Sequence, residues 1–484
     1  MTETETKTAT ESMPAEETAA AGAAVAAGAT AKKDDATAAA AKPEEAVKEM
    51  RAIVLSGFGG LKSVKILQRP QPTAAEDEVL VRVHASGLNF IDLMARQGAI
   101  DNLPKAPFTM GCELAGIVEA VGEKVEGFTV GQRVCAISDM KAWAELVAVP
   151  AKYCYPLPDG VSYQDAAAIL VNYTVAHALL FDVANLREGQ TVLIHAIGGG
   201  VGHALAQLCK TVPNVTVIGT ASKVKHEQLK DVCQHLLERE GCYVTQVKKI
   251  AESGVDLVLD CSCGEDVNKG YALLKPMGRY VLYGTSFFVS GETKNLFTFA
   301  KSWWQVDRIN PIKLYDDNKS ISGFNLRHLL FQQGQHEFVA RKVQLVFDLF
   351  KASKISPVVD STWAFEDIAE AMQKMHDRRN VGKLLLDPAK EPKPRPAEPE
   401  KPAKVGRKES KKEKRNKEKK EADKENGDKK DAKADKKDDK ADGDKDKKTE
   451  NGESKDEGKG EKKAEADKAT SNGEADKEGE AKKD

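Results

Sequence analysis

The chain has 484 residues, 73 of them basic and 75 acidic, for a formal net charge of −2. That balance supplies no overall field to hold a polyanion, so no nucleic-acid partner is expected, and the length exceeds one ordinary domain. Residues 1–47 lack aromatics and residues 390–484 lack Leu, Ile and aromatics, so both ends are expected to be disordered for want of apolar surface to offset chain entropy.

Between these ends, short β-branched runs come first: 51–55 and 64–67, joined by the turn Gly57-Phe58-Gly59-Gly60, then 79–85, 114–121 and 132–136. Glycines mark their corners, a pattern that predicts a compact barrel-like β domain. The weakly polar run 166–181 is interrupted by Asn172, Tyr173, Thr174 and His177 and falls short of the ~20 apolar residues of a membrane span; a buried helix is expected. Strand and helix patterns then alternate: strand 191–195, helix 203–211, and strands 215–219, 255–260 and 280–284, predicting a parallel sheet flanked by helices. Residues 339–386 read as an amphipathic helix, an extended piece at Pro357, a second helix and a closing strand 383–386 that returns to the β domain. The start, Met1-Thr2-Glu3-Thr4-Glu5, is acidic where a secretory or mitochondrial leader is basic, so the eight cysteines are expected to be free thiols in a reducing compartment.

The chemistry is most legible where strand 191–195 meets a glycine-rich turn spaced Ala196-x-x-Gly199-x-x-Gly202. A strand, a tight turn and a helix N-terminus are what a dinucleotide pyrophosphate needs, because unpaired N–H groups and the positive dipole end then face the anion. Ala196, Gly199, Gly200, Val201 and Gly202 are the expected cradle. An NAD site places an acid about 20 residues further on, for the ribose 2′-hydroxyl. Here the next strand ends in Thr220-Ala221-Ser222-Lys223, with Lys225 nearby. Hydroxyls and ammonium groups suit a 2′-phosphate, so NADPH is the expected cofactor, with Thr220, Ser222 and Lys225 among its contacts.

With Gln207 and Lys210 downstream, this turn resembles the signature of the zinc-free quinone oxidoreductases of the medium-chain dehydrogenase/reductase superfamily. Ile197 departs from it where a small residue is usual; two outcomes are open, a narrowed cradle or one that tolerates the side chain because backbone makes it. The phrase from Gly87-Leu88-Asn89-Phe90 to Gln97-Gly98 narrows the match to the quinone oxidoreductase branch. That phrase combines with Leu170-Val171-Asn172-Tyr173, Gly219-Thr220-Ala221-Ser222, Lys225-His226-Glu227, Trp303-Trp304 and Asn380-Val381-Gly382-Lys383. Together, across residues 50–388, they resemble the vesicle amine transport protein family, the synaptic vesicle membrane protein homologues. The resemblance implies an α/β fold: a Rossmann-type doubly wound parallel sheet plus a GroES-like β-barrel catalytic domain, with disordered tails. It divides the chain into an arm 1–47, a catalytic first part 48–172, a nucleotide-binding domain 173–325, a return 326–388 and a charged tail 389–484. It adds Gly284 and Lys383 to the cofactor contacts. It also implies a homodimer, cytoplasmic and peripheral on vesicle or mitochondrial outer membranes.

Zinc enzymes of that superfamily carry a ligand cysteine where this chain has Asn89 and a histidine where it has Cys112. Cys112 with Glu113 is an incomplete ligand set, and no four-cysteine lobe exists, so no metal is expected. Quinones and enones need less polarisation than simple carbonyls, which makes them the expected acceptors. Asn89 is the candidate donor to the developing oxyanion, Tyr173 the second candidate, and Asp92 a third that orients the Asn89 loop. The family's Thr-Ala-Tyr is here Val175-Ala176-His177, and His177 reads as a buried core histidine. The threonine has either moved to Thr174 or been lost, and its loss would keep a second reading open: a trafficking or interaction protein that uses the fold as a scaffold with little or no catalysis. The basic run 404–420 is open to three readings: contact with anionic lipid, a nuclear or nucleic-acid signal, or plain solubilisation.

Overall fold

A computed structural model describes residues 48–264, 266–289 and 310–394. The arm 1–47, the tail from 395 with its basic run, and the Trp303-Trp304 pair lie outside those residues.

The β-rich lobe is built on a seven-stranded sheet. Its long central strand Glu78–Leu88 pairs antiparallel with Glu113–Val121 on one side and with the late strand Lys383–Asp387 on the other. The C-terminal return to the β domain is therefore made by direct strand pairing. Beside it, Glu49–Leu55 pairs antiparallel with Val64–Pro70 and also with Phe108–Thr109. The second lobe is a six-stranded sheet, parallel throughout, in the order His235–Glu238, Thr216–Ala221, Thr191–Ile194, Val255–Asp260, Leu274–Leu282, Ser320–Gly323. Thr191–Ile194 has near-continuous apolar burial, as a strand covered on both faces requires.

Two elements of this sheet escape the sequence pattern. His235–Glu238 follows Asp231-Val232-Cys233-Gln234, a stretch whose spacing reads as helix, yet it forms the edge strand. Ser320–Gly323 is only four residues, with Ile321 its one β-branched side chain between two serines. The nucleotide-side helix begins at Gly200, three residues before the expected start, because the glycine turn itself enters the first helical turn.

The helix Tyr163–His177, extended by a π-turn to Val183, joins the two lobes. Ser162 caps it by accepting the Asp165 N–H at 2.9 Å. Its composition is apolar almost all round, and ten of its residues are buried. One side meets Ala85, Ala115 and Ile137 of the β lobe, and the other meets Leu205 and Leu208 of the nucleotide lobe, within one continuous core. Alanines 166–168 let the backbones approach closely, while burying Ile169 and Leu170 contributes roughly 1.5–3 kcal/mol each. The expected boundary at residue 172 falls inside this helix. At 21 residues the run is long and apolar enough to cross a bilayer, contrary to the length argument from sequence, but most of it is buried in the core. All eight cysteines are free thiols.

Candidate functional site

A cleft of about 970 Å³ opens between the lobes, and the glycine turn forms part of its wall. Thr191–Ile194 delivers the chain to Ala196, which sits at φ 54°, and the Gly199 N–H closes a turn on the Ala196 carbonyl at 2.9 Å. The helix Gly200–Cys209 starts there with no side-chain cap, so its first-turn N–H groups are left for whatever enters the cleft. A Cβ on Gly202 would lie 2.5 Å from the Ala196 carbonyl oxygen, and one on Gly200 would lie 2.3 Å from Asn172 Nδ2. Only glycine permits these approaches. Across the cleft the Gly382 N–H donates to the Gly198 carbonyl at 2.9 Å, joining the turn to the segment that carries Lys383.

Ile197 does not narrow this cradle. Its side chain is fully buried beneath the turn, where a Cβ on Gly219 would come within 2.4 Å of Ile197 Cδ1. The missing side chain at Gly219 makes room for the larger one at Ile197. Thr220 is also directed inward: it is fully buried, with Oγ1 3.4 Å from the Ala196 N–H and from His195 Nδ1. It supports the turn from below and does not line the cleft.

Ser222, Lys225 and Gly284 do line the cleft. Lys225 Nζ donates to the Asn380 carbonyl at 2.7 Å. Burial, with Arg239, Arg378 and Lys374 nearby, pulls its pKa down to about 8 against the attraction of Asp360. Arg239 and Arg378 line the same region and were missed in the sequence. Arg239 follows the unrecognised strand His235–Glu238, and Arg378 lies just past the helix Ile368–His376. Burial and the Arg239 charge lower the Arg378 pKa, and its guanidinium has no hydrogen-bond or ion-pair partner among the described residues. Arg239 pairs with Glu240 at 3.2 Å, and Glu240 lines the cleft too, so the three cations Lys225, Arg239 and Arg378 outnumber the one carboxylate paired among them and leave a net positive anion site.

The opposite wall holds a polar cluster on the β lobe. Asn89 reaches the cleft, but both amide hydrogens are committed, to Glu113 Oε1 at 2.6 Å and Cys112 Sγ at 3.2 Å. Its Oδ1 accepts from Lys383 Nζ at 2.6 Å, and Lys383 also pairs with Glu113 Oε1. Glu113 is fully buried, and its Oε2 accepts the Val171 N–H at 3.0 Å. Asn89 is thus a link in the cluster and not a free donor. Asp92 accepts the Asn89 N–H at 2.8 Å and so orients that loop from behind; burial raises its pKa to about 7. Burial, reinforced by the Asp92 and Glu113 charges, pushes the Cys112 thiol well above its usual range.

Tyr173 is not part of the cleft wall. Its hydroxyl lies 3.0 Å from Gln207 Oε1 and 3.1 Å from the Ser356 carbonyl, tying the shared helix to the loop at residue 356. His177 packs on Phe181 with ring centroids 4.7 Å apart, and burial lowers its pKa to about 4. Phe90, Met94, Ile100, Phe324, Leu326 and Phe331 give the cleft an apolar share of its lining, beside polar Asp139, Asn325 and Arg327.

Residues 75–159 match the alcohol dehydrogenase GroES-like domain, and residues 242–386 match the zinc-binding dehydrogenase family. The chain is 54% identical over 346 residues to the human synaptic vesicle membrane protein VAT-1 homolog-like, covering 72% of this chain and 83% of that one. A crystal structure of the human VAT-1 homolog-like protein superposes with a TM-score of 0.63 at 49% identity, over 71% of this chain and 99% of the other. Human quinone oxidoreductase is 28% identical over 349 residues, 70% of this chain and 98% of that one. A mycobacterial protein crystallised with NADPH is 28% identical with a TM-score of 0.61, over 70% of this chain and all of the other. The zinc named by the second domain family does not fit the residues present. An amide and an ammonium occupy the space beside Cys112 and Glu113, and no group of three His, Cys, Asp or Glu side chains converges among the described residues.

Proposed function

The chain belongs to the VAT-1 family within the medium-chain dehydrogenase/reductase superfamily, a relative of the quinone oxidoreductases, and from that premise we propose a zinc-independent, NADPH-dependent reductase of quinone or enone-type acceptors. The observation that carries this reading is the pairing, in one cleft, of an uncapped helix N-terminus behind a glycine turn with the cations Lys225, Arg239 and Arg378, which outnumber the one carboxylate, Glu240, paired among them. The helix N-terminus and the amides of Gly200, Val201 and Gly202 would hold the pyrophosphate. Ser222, Lys225, Arg239 and Arg378 would hold the 2′-phosphate. The bound cofactor would supply hydride. The chain's own residues would orient the acceptor between the glycine turn and the Asn89–Glu113–Lys383 cluster, while the apolar share of the lining excludes water.

The experiment is NADPH oxidation by the full chain with a panel of quinones and enones, beside NADH and with metal analysis of the same sample. Turnover with NADPH supports the reading; stoichiometric zinc or a preference for NADH overturns it.

A second reading draws on the relatives' names as vesicle membrane proteins: the fold as a nucleotide-binding scaffold, peripheral on a membrane. NADPH binding without turnover on any acceptor would favour it. Homodimerisation belongs to either reading and is tested by sedimentation.

A further inference from the structure

Glu113 and Lys383 form an ion pair with side chains 0% and 3% exposed, at the edge of a cleft whose lining is partly apolar. A buried pair of this kind is a poor source of stability, because desolvating the two charges offsets their attraction. Its geometry is informative. An ammonium has three N–H donors. One goes to Asn89 Oδ1 and one to Glu113 Oε1, and no third acceptor is found among the described residues. Glu113 is itself fixed by the Val171 N–H and the Asn89 amide, so the amine has no freedom to swing toward solvent. Lys383 nonetheless lines the cleft, next to Gly382, whose N–H joins the glycine turn.

We propose that Lys383 is a catalytic residue whose remaining N–H receives the oxyanion that forms on the acceptor, with Asn89 and Glu113 as its positioning residues. The inference rests on the reductase reading above and assigns to Lys383 the donor role that the committed Asn89 amide cannot fill. In the step, the acceptor carbon gains a hydride, and with it two electrons, from a dihydronicotinamide that ends as the oxidised ring. The electron pair displaced from the acceptor's π system settles on its oxygen, giving an enolate. Lys383 hydrogen-bonds that oxygen in a low-dielectric site, where a fixed ammonium stabilises more than it would in water. A proton from solvent then completes the enol; for a quinone, the carbon that took the hydride afterwards loses a proton to solvent while the second carbonyl oxygen gains one, which gives the hydroquinone.

The test needs no turnover. The probe is 4-nitrophenol, whose phenolate resembles the oxyanion and absorbs differently from the neutral phenol. The full chain is titrated with it about one pH unit below its solution pKa. The wild-type chain should bind it as phenolate, with the bound anion-to-phenol ratio raised about tenfold or more, the value of one charge-assisted hydrogen bond. The double variant Lys383→Met/Glu113→Gln, which leaves no lone buried charge, should bind only the neutral form. Glu113→Gln alone removes the competing anion while Asn89 still holds the amine, so its phenolate share should equal or exceed that of the wild type. Identical spectra for wild type and double variant, no phenolate preference in the wild type, or a Glu113→Gln share as low as the double variant's would each overturn the inference. NADPH oxidation is scored separately. Phenolate capture by Lys383 without turnover would overturn the reductase reading and support the oxyanion site. Turnover with a dye insensitive to Lys383 would overturn this inference alone.

Discussion

Lys225 is where pH should control cofactor choice. Its amine lines the cleft beside Ser222, and burial with three neighbouring cations holds its pKa near 8, so its charge is lost within an accessible pH range. A 2′-phosphate, with a second pKa near 6, is a dianion throughout that range. Bringing the dianion against the amine favours the ammonium, so the pKa of Lys225 must rise when NADPH binds. The sign follows by linkage. Below about 8 the free amine is already charged and NADPH affinity is flat; above it, binding must first restore a proton, and affinity falls until the bound-state pKa is passed. NADH has no 2′-phosphate and should show no such fall. A hydrogen bond to a charged group contributes about 1.5–3 kcal/mol, so the preference for NADPH over NADH should shrink by roughly ten- to a hundredfold as the amine is discharged. The assay is fluorescence titration of both cofactors from about pH 7 to 10, with wild type and Lys225→Met. The variant should start at the weak level and stay there. A flat wild-type ratio, or the same slope in the variant, would refute the reasoning and move the phosphate to Arg239 and Arg378.

Gly202→Ala would put a Cβ 2.5 Å from the Ala196 carbonyl and 2.8 Å from Ile197 Cα, both backbone atoms that cannot step aside, so dinucleotide binding should weaken by about tenfold or more, the equivalent of ~1.4 kcal/mol; unchanged affinity would mean the turn is not the cradle. Tyr173→Phe removes the hydroxyl between Gln207 and the Ser356 carbonyl and should cost about 1 kcal/mol in urea unfolding with turnover unaltered; a fall in kcat at unchanged stability would return Tyr173 to the chemistry. His177 is held neutral in the fold, chiefly by burial and secondarily by Lys342, with its pKa down at about 4. The unfolded chain therefore takes up a proton first as pH falls, and stability present above about pH 6.5 is lost toward 4. For this half-buried ring we expect about 1–2 kcal/mol after solvent screening. His177→Leu should flatten that part of the acid unfolding profile, and identical pH slopes would rule the ring out as its source.

Local physics made part of this protein readable from sequence alone. The glycine turn could be recognised because close backbone approach leaves few substitutes: a Cβ on Gly202 collides with the backbone of Ala196 and Ile197 inside the turn itself. The shared helix and the strands near residues 79, 114, 191 and 255 were legible as apolar runs of helix and strand length. What the tertiary structure decided is which atoms meet. Ile197 and Thr220 sit in the most informative stretch of sequence, but the turn buries the Ile197 side chain against Gly219 and the strand buries that of Thr220. The edge strand ending before Arg239 is stabilised by pairing with Ile218–Ala221, and its own residues do not announce it. Lys383 and Glu113 are 270 residues apart, and no local pattern can say that strand pairing with Glu78–Leu88 brings both to one wall. Asn89 shows the limit most clearly. Its residue type suggested a donor, and only its neighbours, which occupy both of its hydrogens, decided that the donation belongs to the lysine it holds.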